Sequence, residues 1–177
     1  MKTEQSRPAI AIPRSALALL SHRCAGLGPD GVRALREAGY RAGVTIARAV
    51  AEDPGSLRVG AFWKAVSASF EEAGLGSVRY EGVSPSIGAV SWTDSPEASG
   101  NQTDRPGARC HFAAGVLAGL LGQAAGKTVD VLEIRCGAGD RACWFLFGTV
   151  ASMRAVQRAA RDESARRVDA AATGVQL

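Results

Sequence analysis

The chain has 177 residues, of which 46% are hydrophobic, so it can form one sizeable core and has little room for a second. Its 21 basic and 17 acidic residues give a net charge of +4, a mild excess that is spread along the chain. Aromatic and basic residues do not interleave as in single-strand-binding proteins, so we expect no nucleic-acid partner. The longest weakly polar run, residues 112–125, is too short and glycine-rich to span a membrane, and no secretory segment is recognised, so we expect a cytoplasmic protein.

Three helices are predicted in the first part of the chain, after a polar lead-in over residues 1–12. They cover about residues 13–26, 29–52 and 57–73. Cys24, in the first of them, is interpreted as a core residue. Gly39 and Gly43 lie on one face of the second helix. Glycine inside a helix costs roughly 0.5–1 kcal/mol relative to alanine, so the pair indicates tight packing, a partner or a ligand, and helix-on-helix packing is preferred.

Two hairpins of β-strands and two more helices are predicted in the remainder. The strands cover about residues 77–83, 87–93, 128–136 and 142–147, and the helices about 109–125 and 149–172. Proline, glycine, serine and asparagine dominate residues 94–107, which predicts a mobile surface loop. The last helix turns Val150, Met153, Val156 and Ala160 inward, and its alanine-rich end is expected to fray rather than to dock on a partner. These elements predict one domain over residues 13–172, followed by a tail over residues 173–177.

Three of the four cysteines and one glutamate fall close together in the sequence: Cys110, Glu133, Cys136 and Cys143. Zn²⁺ binds thiolates and carboxylates in a tetrahedral shell, and closed four-ligand sites are usually structural. The pattern therefore predicts a structural zinc site, with Arg135 and Arg141 either offsetting its negative charge or lying on the surface.

Other interpretations of the cysteines remain open at this point. Cys110 could be a small buried hydrophobe, while Cys136 and Cys143 could form a cross-hairpin disulfide or remain free thiols. A reducing compartment favours metal binding over a disulfide. Strict alternation places Glu133 and Cys136 on opposite faces of a strand, so the strand must bulge between them if both bind one ion.

The residues from Arg109-Cys110-His111 through Glu133-Ile-Arg-Cys136 to Gly139-Asp-Arg-Ala-Cys143-Trp-Phe resemble the 4-vinyl-reductase domain family. The relatives in this family include sensory domains of aromatic-responsive bacterial transcription activators. The resemblance implies an α+β fold with a four-stranded antiparallel sheet and about five helices, shared with TRAPP vesicle-tethering subunits and similar to haem NO-binding domains. In the phenol-sensing activators three cysteines and a glutamate bind structural zinc. The resemblance assigns those roles to Cys110, Cys136, Cys143 and Glu133.

The resemblance also implies a ligand cavity, for which the candidate residues are the aromatics of the segment that lines it in the related sensors: Phe62, Trp63, Phe70, Tyr80 and Trp92. Each of them could instead be ordinary core. The tryptophan indole and the tyrosine hydroxyl could anchor a polar group of the ligand. His22 and His111 are the only histidines, and neither lies where the phenol-sensing relatives carry theirs, which argues against phenol as the ligand. His111 is interpreted as a neighbour of the cysteine site or a surface residue.

The sequence offers no catalytic constellation. Gly137 and Gly139 lie in a hairpin connector and not between a strand and a helix, so they do not form a phosphate loop. Thiolates held by zinc are also poor nucleophiles. We therefore expect a zinc-stabilised sensory domain that binds a small apolar or aromatic molecule and signals through a partner protein. The alternatives are a dimeric assembly module, for which we expect a homodimer, and an accessory protein in tetrapyrrole (bacteriochlorophyll) metabolism.

Overall fold

The computed structural model describes residues 12–84, 86–98, 110–137 and 141–173, with the helical backbone alone described beyond residue 162. Within these residues there are five α-helices, four strands and a short 3₁₀ turn at Pro54–Ser56. In chain order they are α1 (Arg14–Ala25), α2 (Pro29–Val50), α3 (Val59–Glu72), β1 (Ser77–Ser84), β2 (Ile87–Thr93), α4 (His111–Ala125), β3 (Asp130–Arg135), β4 (Cys143–Gly148) and α5 (Val150–Thr173). None of the described helices is long and apolar enough to cross a membrane.

The strands form one antiparallel sheet in the order β1-β2-β4-β3, so the two predicted hairpins meet through β2 and β4. The predicted α+β class with a four-stranded antiparallel sheet is confirmed. Side chains alternate between the two faces of a strand. One face therefore carries a buried apolar row, of which no member is more than 2% exposed: Val78, Val90, Trp92, Val131 and Phe145. Helix α4 contributes the other large share of the core, because most of its residues are buried.

Helices α2 and α4 cross with their backbones in contact. A Cβ atom built on Gly39 would lie 2.1 Å from the carbonyl oxygen of Phe112, and one on Gly43 would lie 2.0 Å from that of Val116. The opposing glycines, Gly115 and Gly119, are equally close to the carbonyl oxygens of α2, at 2.2 and 2.1 Å. Only glycine permits this approach from both sides. The helix-packing interpretation of the glycine pair is confirmed.

Three expectations for individual residues are corrected. Cys24 is only partly buried, because α1 lies at the periphery and its buried residues are Ala18 and Ser21. Ala160 is exposed, and of the four residues expected to face inward on α5 only Met153 is fully buried.

The segment predicted as a mobile surface loop is buried where it begins. Ser95, Glu97 and Ala98 are 2%, 3% and 7% exposed. They are held against the start of α4, because two backbone N–H groups of that helix donate hydrogen bonds to Glu97. The rest of that prediction falls on residues 99–107, which lie outside the described residues, as do residues 1–11 of the lead-in.

Replacing Gly43 by alanine is expected to lower the free energy of unfolding by about 1–3 kcal/mol, because the new methyl group would overlap a carbonyl oxygen of a packed helix. Urea unfolding measures the change. Gly60→Ala is the matched control, since no atom lies within 4 Å of the added Cβ, and it should be neutral or stabilise by up to about 1 kcal/mol. Equal stability of Gly43→Ala and wild type would contradict the close crossing.

Candidate metal centre and neighbouring cleft

The four residues singled out by their spacing converge in space. One potential ligand atom from each of Cys110, Glu133, Cys136 and Cys143 lies within 4.8 Å of the others. Cys110 is the residue that precedes α4, Glu133 lies near the end of β3, Cys136 follows that strand, and Cys143 begins β4. Three separate elements thus contribute to one cluster, which we call the Cys3Glu cluster.

A β-bulge brings Glu133 and Cys136 to the same side of the sheet. Glu133 pairs with Phe145 and Arg135 pairs with Trp144, so two steps along β3 match one step along β4. The extra residue, Ile134, turns outward and is 54% exposed. The bulge predicted from the alternation of the strand is therefore present, because a bulge reverses the face to which the following residues point.

The spacing of the sulfur atoms fits a shared metal ion. The Sγ atom of Cys110 lies 3.6 Å from the Sγ atoms of both Cys136 and Cys143. Two sulfurs that bind Zn²⁺ tetrahedrally at about 2.3 Å are separated by roughly 3.8 Å. A disulfide would require about 2.05 Å, and all four cysteines of the chain are free. The donor set and its spacing show that the cluster could hold a metal ion.

Burial makes this cluster of acidic groups dependent on a positive charge. Cys110 and Cys143 are 0% exposed and Glu133 is 5% exposed. The pKa of Cys143 is lowered to about 4, chiefly because the Cys110 and Cys136 thiols donate hydrogen bonds to its sulfur. The pKa of Cys110 is raised, because its proton is held between the neighbouring sulfurs and burial disfavours the thiolate. A second and a third thiolate would therefore require a cation beside them.

Backbone groups fix the orientation of the cluster. The N–H of Cys110 donates a hydrogen bond to Oε2 of Glu133 at 2.9 Å, which ties the start of α4 to β3. The N–H of Gly137 donates to Sγ of Cys143 at 3.3 Å, and such a bond favours a thiolate. Arg135 is exposed, and its guanidinium lies 5.5 Å from the centre of the Trp144 ring. Arg141 is also exposed, which matches the surface alternative for both arginines.

Two further polar residues lie near the start of α4. His111 is partly buried and is not one of the converging residues, and its pKa is lowered by burial. Glu97 was not predicted from the sequence. Its carboxylate accepts hydrogen bonds from the N–H groups of Phe112 at 3.1 Å and Ala113 at 2.9 Å, so it caps α4. Burial raises the pKa of Glu97 to about 7, although these bonds oppose the shift.

A cleft of about 290 Å³ lies at the other end of α4. Its lining is largely apolar and comes from the 3₁₀ turn, α3, the sheet and the last turns of α4: Pro54, Gly55, Leu57, Val59, Phe62, Trp63, Tyr80, Leu121, Ala124, Ala125 and Phe147. Of the five aromatic residues predicted for a ligand cavity, Phe62, Trp63 and Tyr80 line this cleft. Phe70 and Trp92 lie instead in the closed core, where they are 0% and 1% exposed.

Aromatic rings form one wall of the cleft. The rings of Trp63 and Tyr80 are stacked, with centroids 5.5 Å apart and planes only 8° from parallel. The Phe147 ring lies 6.3 Å from Trp63 and 6.1 Å from Tyr80. The Trp92 indole N–H donates a hydrogen bond to the carbonyl oxygen of Leu75 at 2.8 Å, so it already has a partner in the core. Phe147 was not predicted, because its strand pattern alone does not distinguish a cleft residue from a core residue.

Comparison with known proteins confirms the resemblance inferred from the sequence. The family model of the 4-vinyl-reductase domain matches residues 89–149, a span that includes the whole Cys3Glu cluster. Among curated proteins, no match was found.

Two solved structures are similar to this chain. One is the phenol-responsive sensory domain of the transcription activator PoxR with phenol, at 19% identity and a TM-score of 0.64, covering 80% of this chain and 77% of that one. The other is a vinyl-4-reductase family protein from Methanocaldococcus jannaschii, at 18% identity and a TM-score of 0.50, covering 81% of this chain and 83% of that one. At these identities the likeness shows a common fold.

The Glu97 cap predicts a pH dependence of stability. The native pKa of Glu97 lies above its value in the unfolded chain, so its contribution to stability is present below about pH 4.5 and is lost as the pH rises through 7. Glu97→Gln removes this titration. Between pH 5 and 8, the free energy of unfolding of wild type should fall relative to that of the variant, by up to about 3 kcal/mol.

Urea unfolding of both proteins at four or five pH values measures this difference. The loss of one hydrogen bond by the glutamine adds an offset that does not vary with pH, and other titrating groups cancel in the subtraction. A difference that stays constant across the range would contradict a raised pKa at Glu97.

Proposed function

We propose that this chain is a zinc-stabilised sensory domain that binds a small apolar or aromatic molecule. The observation that carries the proposal is the arrangement of a closed Cys3Glu cluster and an aromatic cleft at opposite ends of one helix. Cys110 precedes α4, while Leu121, Ala124 and Ala125 near its end line the cleft. A metal that fixes the start of α4 would also fix one wall of the cleft.

Zinc fits the cluster better than other common metal ions. Three thiolates favour zinc over magnesium or calcium, which prefer oxygen ligands. Four protein ligands fill a tetrahedral shell, so the ion would be structural and would leave no position open for a reacting water. When bound, zinc would supply the charge that lets the three thiols ionise together. Glu133 would serve as the fourth ligand and, through its bond to the Cys110 N–H, would hold α4 in place.

The ligand is proposed from the chemistry of the cleft. Largely apolar walls with few polar groups are typical of small-molecule sites. The stacked pair of Trp63 and Tyr80 presents flat apolar surface, and Tyr80, which is 39% exposed, also offers a hydroxyl. The similarity to the PoxR sensory domain supports a sensory role, in which a partner protein would receive the signal.

A second candidate function is a dimeric assembly module. Large apolar side chains are exposed on and beside α1, with Leu19 at 57%, Leu20 at 54% and Leu27 at 77%. Exposed apolar patches of this kind mark interaction surfaces. Measurement of the mass in solution by light scattering distinguishes the two, since an assembly module would form a stable dimer without any bound small molecule.

Zinc content tests the metal part of the proposal. Protein purified without a metal-binding tag should contain one zinc per chain by elemental analysis. Cys136→Ser or Cys143→Ser should lose the metal and lower the melting temperature by roughly 10 °C or more, because metal binding is coupled to folding. Cys24→Ser, a change to a cysteine outside the cluster, should leave both unchanged. Unaltered zinc and melting in the two cluster variants would refute the assignment.

Binding of naphthalen-2-ol tests the cleft. Isothermal titration should detect binding to wild type, and Trp63→Ala should weaken it about tenfold, because the variant loses one side of the stacked aromatic wall. Trp144→Phe is the control, since Trp144 does not line the cleft and should not alter the affinity. If wild type binds neither this probe nor any molecule retained through purification, the ligand-binding role is wrong and the assembly module is preferred.

A further inference from the structure

Two glycines and a phenylalanine lie side by side across the sheet at the cleft. Gly82 of β1 is opposite Gly88 of β2, and Gly88 is in turn opposite Phe147 of β4. Directly opposite residues project from the same face of a sheet. This row therefore lies on the face that carries Val90 and Phe145, which is the face covered by the helices.

The Phe147 ring lies directly over Gly88. A Cβ atom built on Gly88 would come within 2.3 Å of Cζ and 2.6 Å of Cε1 of that ring. At Gly82 the nearest atom to an added Cβ is the Tyr80 hydroxyl, at 3.8 Å, which is an ordinary contact. The two glycines thus differ sharply: a side chain would fit at Gly82 but would displace the ring at Gly88.

The backbone does not explain the glycine at position 88. Among the described residues, glycines with positive φ occur at four positions, and Gly88 is not one of them. Any residue could adopt its extended conformation, and glycine inside a strand weakens the strand. The space that Phe147 occupies is the remaining physical reason for glycine at this position.

The position of the Phe147 ring determines how deep the cleft is. The ring lines the cleft together with Trp63 and Tyr80. While the ring lies across Gly88, the space in front of it stays open. A methyl group at position 88 would lift the ring toward Trp63 and Tyr80 and fill that space.

We propose that Gly88 is a specificity-determining residue, which sets the depth of the cleft through Phe147 and so limits the ligand to one or two fused aromatic rings. This inference rests on the proposed ligand-binding function. The volume of about 290 Å³ is at the lower end of the range of small-molecule sites, roughly 300–1,000 Å³. Larger fused-ring compounds require the ring of Phe147 to be absent.

A double-mutant cycle tests the inference, with isothermal titration of naphthalen-2-ol and pyren-1-ol. Gly88→Ala should weaken naphthalen-2-ol binding about tenfold, whereas the matched control Gly82→Ala should stay within about twofold of wild type. Phe147→Ala should bind pyren-1-ol, which wild type should not. In the Phe147→Ala background, Gly88→Ala should have almost no effect, because there is no ring left to displace.

The possible outcomes separate the two claims. If wild type binds naphthalen-2-ol but the effect of Gly88→Ala is the same with and without Phe147, the cleft stands and the role of Gly88 is overturned. Equal losses from the Gly82 and Gly88 substitutions would overturn it as well. If Gly88→Ala does not fold as a single variant, failure of Phe147→Ala to bind pyren-1-ol decides against the inference. If wild type binds neither probe, the proposed function fails, and the inference fails with it.

Discussion

Three thiols and a carboxylate meet within 4.8 Å at the start of α4, and in that buried position they cannot all ionise without a cation. Much of the surrounding structure is arranged around this constraint. The bulge at Ile134 turns the end of β3 so that Glu133 and Cys136 face the same point. The hairpin of β3 and β4 brings in Cys143, and the Glu133 carboxylate holds the Cys110 N–H at the start of the helix.

Helix α4 carries the consequences of this arrangement through the molecule. Its 15 residues span about 22 Å, from the Cys3Glu cluster to the aromatic cleft. Gly115 and Gly119 bring its backbone against α2, and Glu97 satisfies two N–H groups of its first turn. A helix fixed at its start, along its side and in the core is a rigid wall. Rigid elements position binding residues better than loops do, which suits a site that must discriminate between small molecules.

The sequence predicts those features that depend on local patterns. Alternation of apolar residues locates the four strands, and the opposite parity of Glu133 and Cys136 predicts the bulge, because the period of a strand allows no other way to bring both to one ion. Paired glycines at a spacing of four residues predict a close helix crossing. The cluster itself follows from the donor chemistry of its four residues together with the family resemblance.

The features that the sequence does not predict depend on contacts between distant segments. Glu97 lies in a polar, proline-containing stretch, and nothing local indicates that it caps a helix that begins 14 residues later. The five aromatic candidates share a residue type, but only packing decides that Phe70 and Trp92 fill the core while Trp63 and Tyr80 line the cleft. The role of Phe147 depends on the absence of a side chain at Gly88 on a neighbouring strand, and a cross-strand relation of this kind is fixed by register and not by local sequence.

X-ray absorption at the zinc edge, on protein purified without a metal-binding tag, tests the central claim most directly. The account predicts a four-coordinate zinc with three sulfur ligands near 2.3 Å and one oxygen ligand at about 2.0–2.2 Å. A shell of four sulfurs would remove Glu133 from the site and require a cysteine from elsewhere. Protein that contains no zinc and does not take it up would contradict the account at its centre.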